Sequence, residues 1–261
     1  MISCYLQGGL GNQLFQIATT LSFSWDNNIK AVFNFNYHHL PLQGNKAISY
    51  KDNFYRKLLP INENIKNSFN IYKEPNFYYT PLPTSIKNNN VILHGYFQSE
   101  KYFIHNRNKV LEYFSPSREI IKHLKKYEDI LNSPNCSVHV RRGDYLKFPN
   151  EHPTLEKEYY NSSFKEFDEG TTFLIFSDDI KWCKDNLSYE NLLFIENDVD
   201  YHNLYLMSLC DHHIIANSSF SWWGAWLNKS TDKRVIAPNK WFGDNKKLVT
   251  TDIIPIKWER L

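Results

Sequence analysis

Two adjacent arginines, Arg141 and Arg142, lie in the run His139-Val140-Arg141-Arg142-Gly143-Asp144-Tyr145, between an imidazole and a carboxylate. Guanidinium groups fork onto phosphate oxygens bidentately and stay charged, so this pair suits a diphosphate. The plainer reading is a solvated strand exit in which Asp144 pairs with one arginine. Ser177-Asp178-Asp179 places two carboxylates at a second such exit. Asn217-Ser218-Ser219-Phe220 stands at the start of a helical run, where Ser and Asn serve as N-caps. An open helix N-terminus with hydroxyl donors also receives phosphate. The loop Gly8-Gly9-Leu10-Gly11-Asn12-Gln13 lacks the Lys-Ser/Thr of a triphosphate loop and the full spacing of a dinucleotide loop.

Metal chemistry finds little support. Asp198-Val199-Asp200 has the form of a cation-holding pair, but it directly precedes a helical run, where Asp is favoured at the cap and first turn. Asp211-His212-His213 enters a strand, so neighbouring side chains point to opposite faces. Cys4, Cys136, Cys183 and Cys210 are far apart, without a CxxC pair, and three of them, within or beside apolar runs, read as buried free thiols. No metal site and no cofactor are expected.

These clusters need elements to hold them. The first turn of the chain reads as strand (residues 2–6), glycine loop and helix (13–25), then strand (31–35). Residues 38–90 are rich in Asn, Lys, Pro and Tyr and read as irregular, on the side of a second substrate. A strand at 91–97 and a helix at 119–131 follow, and Ser133-Pro134-Asn135 breaks the pattern. Beyond it, strands at 136–140, 172–176, 192–195, 213–216 and 234–237 alternate with helices at 155–167, 180–186, 201–210 and 219–228. Short apolar strands alternating with helices predict a parallel sheet in a doubly wound α/β domain, whose ligands bind beyond the carboxyl ends of the strands. Three of the four polar clusters fall at those ends in this half, and the glycine loop falls at one in the other. The expected division is 1–133 and 134–261.

Bulk properties agree with a folded chain of 261 residues, 42% hydrophobic, with a formal net charge of +2. That near-neutral balance, without a long basic run, argues against nucleic acid as a partner. No signal peptide and no apolar span of about 20 residues is visible, so a cytoplasmic location is expected. Peripheral membrane contact stays open, although no amphipathic anchor stands out.

Four segments, QGGLGNQLFQIA (7–18), HVRRGDY (139–145), FSDD (176–179) and IIANSSFSWWGAWL (214–227), resemble the motifs of the α-1,2-fucosyltransferases, glycosyltransferase family 11. GYFQSEKYF (95–103) and APNKWF (237–242) are similar to that family too, and the matches run in family order along nearly the whole chain. The resemblance implies a GT-B-like α/β fold with two Rossmann-like domains, the first facing the acceptor and the second binding the donor. It implies GDP-β-L-fucose as donor, a galactose-terminated glycan as acceptor, inversion at the anomeric carbon and no required metal. Arg141 would hold the β-phosphate, Asp179 (with Asp178 in the same motif) would read the guanine edge, and His139 would lie beside the guanosine. Ser218 and Ser219 would face the diphosphate, with Arg142, Asn217, Phe220, Gly9, Gly11, Asn12 and Gln13 completing the donor side. Asp144 and His139 are candidates for taking the acceptor proton, but an Asp beside an Arg is a weak base. A carboxylate or amide near Asn12 and Gln13 could position the acceptor instead. Two rival readings are a fucosyltransferase of other regiochemistry and a glycan- or GDP-binding protein without catalysis.

Overall fold

The computed structural model describes residues 1–36, 44–62, 69–196, 198–245 and 248–261. The chain forms two compact units, one of residues 1–117 with 249–255 and the other of 118–248 with 256–261. The division thus falls after Ser117 rather than near Pro134, and a short C-terminal segment returns to the first unit.

In the first unit, β1 (Ile2–Cys4) leads through the glycine loop into α1 (Leu10–Asp26). A parallel sheet of order β1-β3-β2 is completed by β2 (Asn70–Lys73) and β3 (Val91–His94), and α2 (Arg107–Tyr113) follows. Leu14, Phe15, Ile17, Ala18 and Leu21 give α1 a buried face, and its start is one turn earlier than expected. The expected strand at 31–35 is reduced to isolated parallel bridges, Ile2 to Ala31 and Phe33 to Pro60. Two different partners share that short segment, so no continuous ladder forms. β2 lay hidden in the irregular stretch because it is an edge strand, with Asn70, Ile71 and Lys73 exposed and only Tyr72 half-buried, and so shows no in/out alternation. Residues 37–43 and 63–68 of that stretch lie outside the described residues.

The second unit begins with α3 (Arg118–Leu124) and α4 (Glu128–Leu131). One helix was expected here; a tight turn at Lys125–Tyr127, which buries no side chain, separates the two. Then come β4 (Asn135–Val140), α5 (Lys157–Phe164), β5 (Thr172–Ser177), α6 (Ile180–Asn186), β6 (Leu192–Phe194) and α7 (Asp200–Leu209). The unit closes with β7 (His212–Ile214), α8 (Ser219–Leu227), β8 (Val235–Ala237) and β9 (Glu259–Arg260). All strand pairs are parallel, in the order β6-β5-β4-β7-β8-β9. Renumbered within the unit this is 3-2-1-4-5-6, the doubly wound dinucleotide-fold order, whose switch point lies between β4 and β7. β4 is buried along its whole length, as a central strand covered on both faces must be. Val138, Val140, Tyr160, Phe164, Phe173 and Ile175 form its core, and Trp222, Trp223 and Trp226 bury α8. Each such side chain contributes roughly 1.5–3 kcal/mol or more on burial, which fixes the strand ends from which the polar loops spring. Among the described residues no helix is long and apolar enough to cross a membrane.

Candidate donor site at the sheet switch point

The loops after β4 and β7 flank the switch point, and the loop after β5 lies alongside. Val140 is the last residue of β4, so the chain leaves the sheet at Arg141. Arg141 pairs with Asp144 through Nη2, and its Nη1 lies 2.8 Å from Asp178 Oδ2. Asp178 also accepts from the Arg142 backbone N–H at 2.9 Å. Gly143 permits this approach: a Cβ there would fall 2.4 Å from Asp178 Oδ2. The carboxylates thus hold the Arg141 fork in place while three of its five N–H groups remain for other acceptors.

Arg142 turns the other way. Its guanidinium lies 4.0 Å over the Trp182 ring, and its Nε is 3.4 Å from Asp179 Oδ2. The side chain is 12% exposed, yet Nε and Nη1 are buried without a hydrogen-bond partner. Asp179 is the N-cap of α6, its Oδ1 accepting from Trp182 N–H at 3.1 Å. Two guanidiniums therefore face three carboxylates in one patch.

On the β7 side, Asn217 is 1% exposed and donates to the carbonyls of Pro153 (2.9 Å) and Trp241 (3.0 Å). Its Oδ1 is buried without a partner. Ser218 caps α8, accepting from Phe220 N–H at 3.3 Å, and Ser219 opens the helix. The Tyr145 hydroxyl donates to the Asn217 carbonyl at 3.0 Å and so ties the two loops together. His139 is buried with its ring 5.6 Å from Phe220, and its Nδ1 has no partner. Burial, with the Arg141 charge second, pushes its imidazole down to about 3, so it is neutral at physiological pH and a weak proton acceptor. Buried polar groups are normally satisfied. Here Arg142 Nη1, His139 Nδ1 and Asn217 Oδ1 are left over where the end of β4 and the loops after β4 and β7 come together.

The glycine loop of the first unit is different. Gly8 adopts φ +76°, and a Cβ there would meet Asn12 Nδ2 at 2.4 Å. Gly9 is the N-cap of α1, and Gly11 is buried in its first turn. Asn12 accepts from Gln98 at 2.7 Å. Gln13 is 1% exposed; it donates to the carbonyls of Gly8 (2.9 Å) and Asn45 (3.1 Å) and accepts from the Tyr55 hydroxyl at 2.9 Å. Both its N–H groups are spent inside its own unit, on those two carbonyls. Sequence reading also passed over Glu74, just beyond β2, which accepts from the N–H groups of Tyr96 (2.7 Å) and Phe97 (3.0 Å). Burial pushes its carboxyl up to about 7 against those two hydrogen bonds. Trp182 and Tyr145 were missed as site members too. The expected helix at 180–186 already put Trp182 in the first turn beside the two aspartates, a signal that could have found it, whereas Tyr145 is recognisable only once β7 is known to lie beside β4.

A model of the family described as glycosyl transferase family 11 matches residues 1–261. An α-1,2-colitosyltransferase of Escherichia coli is 33% identical, the match covering 98% of this chain and 97% of the relative. A galactoside 2-α-L-fucosyltransferase of Caenorhabditis elegans is 25% identical, covering 100% and 79% respectively. Among solved structures, NodZ α-1,6-fucosyltransferase of Bradyrhizobium, soaked with GDP-fucose, matches with a TM-score of 0.51. That match covers 87% of this chain and 92% of NodZ at 11% identity, a likeness of fold alone. The fold is the GT-B-like α/β class expected from the sequence.

Proposed function

This chain belongs to glycosyl transferase family 11, and on that premise we propose that it moves L-fucose from GDP-β-L-fucose to the 2-hydroxyl of a terminal galactose. The mixed arginine–aspartate patch at the switch point carries this reading. Anionic diphosphate oxygens call for guanidinium forks, and the N1–H and amino donors of guanine call for carboxylates. Arg141, Arg142, Asp178 and Asp179 offer both within one cluster. In this reading the second unit takes the donor and the first takes the acceptor.

The acceptor hydroxyl attacks the anomeric carbon as the bond to the β-phosphate oxygen breaks, inverting the centre through an oxocarbenium-like transition state and releasing its proton to solvent. Negative charge grows on the departing GDP. Arg141, already oriented by Asp144 and Asp178, meets it without reorganising, and the unspent donors of Arg142 add to it. No cation on the diphosphate is required in this scheme. Asp144 orients Arg141, and a neutral His139 contributes shape beside the nucleoside instead of accepting the proton.

A second reading is favoured by the 33% identity to a colitosyltransferase over 98% of this chain. Colitose is fucose without its 3-hydroxyl. A pocket that hydrogen-bonds that hydroxyl rejects the deoxy sugar by about 10⁴-fold or more, whereas an apolar pocket discriminates only about 10²-fold the other way. Incubation with GDP-fucose or GDP-colitose, lactose and EDTA, with GDP release and product linkage measured, decides the matter. A 2-O-fucosylated galactose formed faster than its colitosyl counterpart is expected. Faster colitosyl transfer would move the donor assignment, and no GDP release from either across a panel of galactosides would overturn the transferase reading.

A further inference from the structure

We propose that the second unit carries a structural divalent-metal site, suited to Zn²⁺, formed by His123, Asp198 and His202. It lies outside the arginine–aspartate patch. His123 comes from α3, Asp198 from the turn just ahead of α7, and His202 from the first turn of α7. One ligand atom from each lies within 4.8 Å of the others. Asp198 Oδ2 is 2.7 Å from His123 Nε2, and its Oδ1 is 2.7 Å from His202 Nδ1. The two imidazoles stack with centroids 4.0 Å apart, so both nitrogens face the same carboxylate.

Two imidazole nitrogens and one carboxylate are a zinc-type ligand set, with room for a water as fourth ligand. Metal–ligand bonds of about 2.0–2.2 Å place tetrahedral donor atoms about 3.3 Å apart, within roughly an ångström of the two 2.7 Å carboxylate–imidazole contacts. The carboxylate side chain is only 5% exposed, and those of His123 and His202 are 35% and 16% exposed, so the site is anchored below and open above. Lys126 is its built-in competitor: Nζ lies 3.2 Å from Asp198 Oδ2 on a side chain 49% exposed, free to swing away. Val199 N–H also donates to Oδ1, at 3.0 Å, and fixes the carboxylate's orientation. A bound ion would replace two shared protons with coordinate bonds and join α3 to α7 across 75 residues of sequence. Sequence reading weighed Asp198 only with Asp200, because nothing local announces a partner at His123.

Isothermal titration of the untagged, chelator-treated chain with zinc chloride tests this, alongside thermal unfolding with and without the ion. One-to-one binding and a raised Tm are expected. His123→Ala and His202→Ala should each weaken binding by at least about a hundredfold, since losing even an outer partner of a metal ligand costs about 10–100-fold. Lys126→Met should tighten it. X-ray absorption on the zinc-loaded wild-type chain should report two imidazoles and oxygen around the metal, whatever the variants' folding. Zinc bound no more tightly than by the His123→Ala/His202→Ala double variant, or a metal shell without two imidazoles, would leave the cluster a hydrogen-bonded clamp and overturn the proposal. These readouts do not depend on which sugar, if any, is transferred.

Discussion

The glycine loop of the first unit and the arginine loop of the second both leave the carboxyl end of a parallel strand, and both read from sequence as donor-binding. They differ in how their polar groups are spent. Gln13 has used both its N–H groups on Gly8 and Asn45, and Gln16 holds Gln7 and Gly95 in the same way. In the second unit the carboxylates orient Arg141 without exhausting it, and Arg142 keeps Nη1 unpartnered although buried. A polar motif that closes on itself shapes a loop. One that leaves buried donors open is prepared for a ligand, because an unpaired buried donor costs about 1–3 kcal/mol until something pairs with it.

Substitutions can break or sharpen that contrast. Arg141→Lys should lower kcat/KM by about a hundredfold, on the order of 3 kcal/mol, because a point charge cannot reproduce a fork held by two carboxylates. Near-normal turnover would place the diphosphate elsewhere. Gln13→Ala should act on stability instead, by about 3 kcal/mol, since two buried carbonyls and a tyrosine hydroxyl lose their partner. Denaturant unfolding would register it, and GDP affinity of the folded fraction should be unchanged; a selective loss of affinity would put Gln13 on the donor side.

Glu74 sharpens the comparison through pH. Its folded carboxyl holds its proton up to about 7 against an ordinary 4.5, so the folded state binds more protons in that interval. The stability it contributes is full below about 4.5 and is lost as pH rises through about 7, by up to about 3 kcal/mol before solvent screening reduces it. Glu74→Gln should flatten that fall in urea midpoints measured across the interval. The smallest effect is expected from Asp144→Asn: a loss of about tenfold or less in kcat with an unshifted pH–rate profile, as suits a group that orients Arg141. A lost limb in that profile would make Asp144 the base.

The sequence by itself determined the alternation of strands and helices beyond Pro134, the strand-end position of each polar cluster and, through ordered motifs, the family. Those features are local: apolar periodicity and the residues that interrupt it. Ile180–Asn186 matches its expected bounds because Asp179 caps it and Cys183 buries one face. Tertiary structure decided what no local pattern encodes. β2 is held by pairing with β3 rather than by an alternation of its own, and α3 ends where its buried face runs out. The order β6-β5-β4-β7-β8-β9 brings Tyr145 to Asn217, and packing of α3 against α7 brings His123 to Asp198 and His202. Which hydrogen bonds are spent and which are left open depends on partners tens of residues away, so the difference between the two loops emerged only when the chain was folded.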